Sequence, residues 1–314
     1  MKHNLKITFL ILAMFLVTQF IGLYVINHYS IQDNPLPYGM GTPEIENNSD
    51  FYTYFPSIII AFIFAIVLLI LLTKFHLGFV LKLWFFVVVL IALGIFFTSF
   101  FPNQNQEYIP YIVLALAIPL AIFKVYKRNL FVHNLTELVI YPSISVVFVA
   151  LLNFWTVIIL LILICLYDMW AVWHSGVMQK MAKYQINELK IFSGFFIPYI
   201  SQKVRMGLRK LSKSELKNKK VKANVAILGG GDVIFPIITA GVIWLTKTIS
   251  LPFGLFPKFV FTGGLGPAIF VIIGAALGLS YLLFFAEKKK FYPAMPFITA
   301  GIFIGLITGA IILG

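Results

Sequence analysis

Nine stretches of the chain are apolar for long enough to cross a lipid bilayer, with short polar or basic segments between them. A helix needs about 20 apolar residues to cross about 30 Å of hydrocarbon. On that rule the spans fall at 6–27, 55–73, 79–101, 108–123, 134–152, 154–173, 224–246, 264–286 and 293–313. The fourth is short, and glycine and proline interrupt the seventh and eighth. The first is too long for a signal-peptide core and has no small-residue cleavage site, so it reads as a retained anchor. Segment 174–223 contains an apolar ten-mer, I-F-S-G-F-F-I-P-Y-I (191–200), too short to span and expected at the interface or packed against the bundle. The pattern predicts an all-α polytopic membrane protein of nine transmembrane helices. It has a five-helix part over 1–153, then spans six to nine over 154–314 with the 174–223 loop.

Composition supports the class. The chain is 61% hydrophobic and 11% charged, whereas a soluble domain is about half apolar and about one quarter charged. Basic residues then set the orientation. With the N-terminus in the cytoplasm and alternating spans, 22 of the 24 Lys and Arg fall on the cytoplasmic side; only Lys247 and Lys258 fall outside. The 28–54 loop carries Asp33, Glu44, Glu46 and Asp50 with no Lys or Arg, as an external loop does. The N-terminus is therefore expected inside and the C-terminus outside. The net charge of +13 is a topology signal plus attraction to anionic headgroups, and nucleic acid is not an expected partner. The single cysteine, Cys165, excludes an intrachain disulfide and a cysteine-built metal site. The five histidines are scattered, with no H-E-x-x-H, and G-x-S-x-G is absent, so zinc and serine chemistry have no support.

Of the eleven acidic residues, only Asp168 and Asp232 lie deep in spans, in six and seven. Glu137, near the cytoplasmic start of span five, either faces the headgroups or pairs with a nearby base. An acid at membrane depth costs about 2.5–3.5 kcal/mol on insertion scales and marks a functional site by default. Counted from the cytoplasmic side, Asp168 lies ~8 Å deep and Asp232 ~12 Å, so a dyad on neighbouring antiparallel helices is geometrically available. Gly229, Gly230 and Gly231 precede Asp232 and let another backbone approach, at a cost of roughly 0.5–1 kcal/mol each to a helix. Pro236 leaves the Asp232 carbonyl without its helical donor. Span nine opens P-A-M-P: Pro293 and Pro296 lack N–H groups, so this stretch is either a non-helical wall beside the acids or an ordinary proline-initiated helix. Tyr167 is a packing aromatic or a donor to its neighbour's carboxylate, and Cys165 reads as a small core residue. Each motif alone is weak, since glycines serve helix packing in membranes and a lone Asp binds ions as readily. Their combination, order and depth carry the argument.

Tyr167-Asp168, Gly229-Gly230-Gly231-Asp232 and Pro293-Ala294-Met295, with M-W-A-V-W-H-S-G after the first, V-I-F-P after the second and P-F-I-T-A-G after the third, resemble the presenilin and signal peptide peptidase family of intramembrane aspartyl proteases, the GxGD type. The likeness is specific over 154–313; the first five spans match in topology. Met295 stands where the family usually has leucine. The resemblance implies a presenilin-like fold whose catalytic helices lie in 154–314. It implies hydrolysis of peptide bonds within transmembrane segments, with Asp168 and Asp232 as the catalytic pair and water as nucleophile. No metal and no cofactor is implied. Tyr167, the three glycines, Pro293, Ala294, Met295 and Pro296 would support the site, with P-A-M-P and the 174–223 loop holding an extended substrate by strand addition. The orientation matches the presenilin branch, so substrates are expected N-terminus outside. Short loops point to a prokaryotic, archaeal cell-membrane enzyme without an obligatory accessory subunit, and leave the oligomeric state open. Rival readings are a prepilin- or preflagellin-type peptidase, which lacks the P-A-L-like motif, and a proton- or cation-coupled transporter or channel with both aspartates as ion ligands. A catalytically silent relative would not need both acids.

Overall fold

Helices are the only way an isolated apolar segment satisfies its own backbone in lipid, and helices follow the hydrophobic pattern closely. In the computed structural model, described here for residues 5–41, 48–101, 107–127, 129–175, 193–199, 224–247, 249–250, 260–286 and 292–313, nine long helices run α1 (Leu5–Ile26), α2 (Asn48–Lys74), α3 (Gly78–Thr98), α4 (Ile109–Ile122), α5 (Leu130–Val149), α6 (Phe154–Trp170), α7 (Gly230–Leu245), α8 (Leu265–Phe285) and α9 (Met295–Leu313). Single π-helical turns extend α1, α4 and α6, at Asn27–Ile31, Phe123–Lys127 and Ala171–Ser175. Eight of the nine are long and apolar enough to cross a membrane. The exception, α7, has 16 residues and covers about 24 Å.

Local chemistry sets several boundaries. Asn129 caps α5 by accepting from the N–H groups of Phe131 and Val132, so the helix starts four residues before the predicted edge. Asn153 and Thr156 form a reciprocal capping box that starts α6. Helix α2 begins at Asn48, ahead of the predicted 55, with Asp50 in its first turn.

Span seven departs from expectation. Residues 224–229 are a strand, not the start of a helix. They pair antiparallel with Gly194–Tyr199, from Gly194 opposite Gly229 to Tyr199 opposite Asn224. We call these strands β2 (Asn224–Gly229) and β1 (Gly194–Tyr199). The apolar ten-mer thus packs against the bundle as a strand, as far as its described residues 193–199 go; most of the 174–223 loop lies outside the described residues. A second, two-residue pairing joins Ile249–Ser250 to Val260–Phe261 before α8.

The bundle is built around α7, which packs against α1, α5, α6, α8 and α9. Its residues Val233, Ile237, Ile238, Ala240 and Ile243 are almost completely buried. The closest helix pair is α8 with α9, where Gly274 and Gly278 meet Gly301 and Gly305 backbone to backbone. By contrast α2 is peripheral, presenting Ile60, Ile63, Phe64 and Val67 outward, as a lipid-facing helix does.

Candidate active site

Asp168 lies on the last turn of α6 and is buried, 8% exposed. Its Oδ2 accepts from the backbone N–H of Met295 at 3.0 Å, and the Ala294 N–H faces the same carboxyl. Those amides belong to the start of α9, where a helix leaves its first N–H groups without internal partners. Asp168 therefore caps a helix other than its own. The P-A-M-P backbone combines the two expected readings: Pro293 and Ala294 are non-helical and lie beside Asp168, while the helix starts at Met295. The Ala294 carbonyl accepts from Phe297 and Ile298, as the first acceptor of a helix does. Pro296 sits in the first turn, where a missing N–H removes nothing the helix uses.

Asp232 sits in the first turn of α7, three residues after Gly229, which precedes the helix in extended conformation. Its carboxyl turns back toward the residue that precedes the helix: a Cβ on Gly229 would lie 3.2 Å from Asp232 Oδ2. The glycines therefore mark a strand-to-helix junction; they do not weaken a helix already under way. They also differ from one another. Gly230 is buried, and a Cβ there would lie 2.8 Å from Cε1 of Tyr141 and 3.0 Å from Ser193 Oγ. At Gly231, which is exposed, a Cβ would meet only Phe235, at 3.6 Å. Most of the clearance at Gly230 is thus filled by the protein's own side chains, and open space lies at Gly231.

The acids are within Coulombic reach of each other, because α6, α7 and α9 pack mutually. Pro236 interrupts the bonding of α7 one turn further on, and there the Gln19 amide of α1 donates to the Val233 carbonyl at 3.1 Å. Tyr167 is half-exposed on the outer side of α6, its ring tilted against Trp170 at 6.4 Å. Cys165 is partly exposed and so is not a core residue.

Of the two expected roles of Glu137, pairing with a nearby base is the one observed, and a polar cluster that the sequence did not announce surrounds it. Glu137 is buried and pairs with Lys124, Nζ to Oε1 2.7 Å. His133, Asn134 and Tyr141 lie on the same helix, and His133 and Asn134 hydrogen-bond to β1. The signal available was the spacing 133, 137, 141, one stripe of a helix.

The chain matches the model of the signal-peptide peptidase, presenilin aspartyl protease family over residues 12–314. No curated protein matches it in sequence. Two solved structures, each described as a presenilin family intramembrane aspartate protease, in the C222 and P2 space groups, are similar in fold, with a TM-score of 0.59 and 17% identity in each case. The first comparison covers 97% of this chain and 99% of that one, the second 96% of both. Nearly the whole chain falls under the family match, well beyond the motif-bearing half. This chain is an integral, multi-pass membrane protein that belongs to the signal-peptide peptidase and presenilin family of aspartyl proteases.

Proposed function

We propose that Asp168 and Asp232 are the pair with which this protease hydrolyses peptide bonds inside the membrane-spanning segments of other proteins. Two carboxyls in Coulombic reach at a water-poor site share one proton. The ionised carboxyl takes a proton from water as the water oxygen attacks the scissile carbonyl carbon. The protonated one donates to the carbonyl oxygen as it gains charge. Collapse of the tetrahedral intermediate breaks the C–N bond: the amine leaves with the proton that the first carboxyl took from water, and the second carboxyl recovers its proton from the hydroxyl. The titration belongs to the pair, and neither acid is assigned as the base.

The observation that carries this reading is the Asp168–Met295 bond. It joins two of the three motifs at one point, and the third motif presents Asp232 within electrostatic reach. The start of α9 borders Asp168, Tyr167 stands next to that acid in the chain with its ring turned outward, and Gly231 gives a peptide room beside Asp232. The outer edge of β2 suits strand addition by an unwound substrate. In this division of labour 154–314 carries the chemistry and 1–153 the scaffold. With the N-terminus cytoplasmic, substrates have their N-termini outside and are cut toward the cytoplasmic side.

The test is incubation of the protein, in detergent or lipid, with a single-span peptide, reading products by mass spectrometry. Asp168→Asn and Asp232→Asn are each expected to remove cleavage by about a hundredfold or more. Retained cleavage in either variant sinks the assignment.

A further inference from the structure

We infer that Asn134, His133 and Glu137 of α5, with Lys124 behind them, act as a side-chain edge strand: they take the place of a third β-strand beside β1 and so position the junction that carries Asp232. The inference rests on the reading of Asp232 as catalytic and adds positioning residues to that site.

The bonds match those of a strand. Asn134 Nδ2 donates to the Phe196 carbonyl at 3.0 Å, and its Oδ1 accepts from the Phe196 N–H at 2.9 Å. One residue of a neighbouring antiparallel strand makes the same pair of bonds. Two residues earlier, His133 Nε2 lies 2.8 Å from the Gly194 carbonyl, and the Gly194 N–H donates to Glu137 Oε1 at 3.5 Å. A strand turns alternate residues to each side, so Gly194 and Phe196 share one edge. β1 is thereby bonded to α5 on one edge and to β2 on the other.

Lys124 sets the chemistry of the row. Its ammonium, a donor only, lies 3.4 Å from His133 Nδ1. Nδ1 must accept there, which leaves the proton on Nε2 facing the Gly194 carbonyl. The same ammonium neutralises Glu137. A buried ion pair is not needed for stability, since well-packed apolar residues often serve as well; here each charged group has a backbone atom of β1 or a partner in the row to place.

The path to Asp232 is short. Tyr141, next on the stripe, packs edge-on against Phe195, 5.8 Å between centroids, and its ring covers Gly230. Opposite Gly194 in β2 stands Gly229, which lies against the Asp232 carboxyl: a Cβ there would be 3.2 Å from Oδ2.

Full-length protein would be compared as three variants: Lys124→Met with Glu137→Leu, Lys124→Met with Glu137→Gln, and Asn134→Leu. Thermal midpoint, kcat and KM on a single-span peptide, and deuterium exchange over 194–199 and 224–229 would be measured. The Leu double variant is expected to keep its midpoint, exchange faster at both strands and lose kcat by about tenfold or more. The Gln double variant still accepts from Gly194 and loses only the hold of Lys124 on His133, so it should keep several times the kcat of the Leu double variant. A folded Leu double variant with unchanged exchange and kcat overturns the inference, and so does an equal loss in the Gln variant. If the Leu double variant does not fold, Asn134→Leu, at a partly buried position, carries the same two outcomes. Should the aspartate substitutions leave cleavage intact, the catalytic reading fails by itself, and exchange at 194–199 still decides whether α5 holds β1.

Discussion

Met295 shows how a side chain and a backbone atom at one position do different work. Its side chain is 3% exposed in the core, and its N–H is the 3.0 Å donor to Asp168. Met295→Leu conserves volume, so it should cost less than about 1.5 kcal/mol and leave cleavage near wild type. Met295→Pro keeps a residue suited to a helix start but deletes the donor. A hydrogen bond to a charged group contributes about 1.5–3 kcal/mol, so kcat should fall roughly tenfold to hundredfold while the helix content by circular dichroism is unchanged. The glycines divide in the same way. Gly230→Ala pushes a methyl into the Tyr141 ring and should lower stability by about 1–3 kcal/mol, read as a drop in thermal midpoint. Gly231→Ala meets only Phe235 at van der Waals distance and should leave the midpoint unchanged or higher. At this scale the sequence was informative about which side chains matter, because an acid at membrane depth is rare and costly. It could not show that Asp168 is held by the amide of residue 295, since that donor carries no side-chain signature. Nor could it separate Gly230 from Gly231, whose surroundings come from α5 and β1.

Elements were legible where they were long. Eight helices follow hydropathy alone, and their ends moved where Asn129 caps α5 early and where α2 begins at Asn48. The misreading at 224–229 has a plain cause: six residues, N-V-A-I-L-G, are too few for periodicity to separate strand from helix. The strand's partner lies about 30 residues away in sequence and is itself a short apolar run. Lys124 and Glu137 were visible as charges, but their pairing depends on α4 returning beside α5. The α8–α9 contact, by contrast, can be tested from its glycines. A Cβ on Gly274 would run into the Gly301 carbonyl, whereas one on Gly266 meets the movable Leu313 side chain at 2.7 Å. Gly274→Ala should therefore cost about 1–3 kcal/mol, seen as a lower thermal midpoint, and should depress kcat because α9 carries the Met295 donor. Gly266→Ala, with a flexible neighbour, should show neither effect. Equal behaviour of the two variants would mean that backbone contact does not set the position of α9.

Across the described residues, the site and most of the basic residues lie at one end. The last turn of α6 and the first turns of α5, α7 and α9 meet there through Asp168, Asp232, Met295 and the β1 contacts. Lys74 and Lys127 lie at the same end, after α2 and α4. At the opposite end, the turn after α1 is tied to α3 by Tyr24 donating to the Ser99 carbonyl and Tyr29 to the Ile95 carbonyl. The geometry fixes which groups share an end, while the side of the membrane follows from charge: basic residues stay in the cytoplasm. Since α7 covers only about 24 Å, Asp232 lies below the level where a full span would begin, and the paired strands supply the backbone partners that lipid cannot. Orientation is open to direct measurement in a Cys165→Ala background, using exposed Gln32→Cys for one end and exposed Lys74→Cys for the other. In intact cells a membrane-impermeant maleimide should label Gln32→Cys, and it should label Lys74→Cys only after the membrane is permeabilised. The reverse pattern would put the acids near the outer face and turn the substrate preference around, because the chain that enters beside Asp168 would then have to run in the opposite direction.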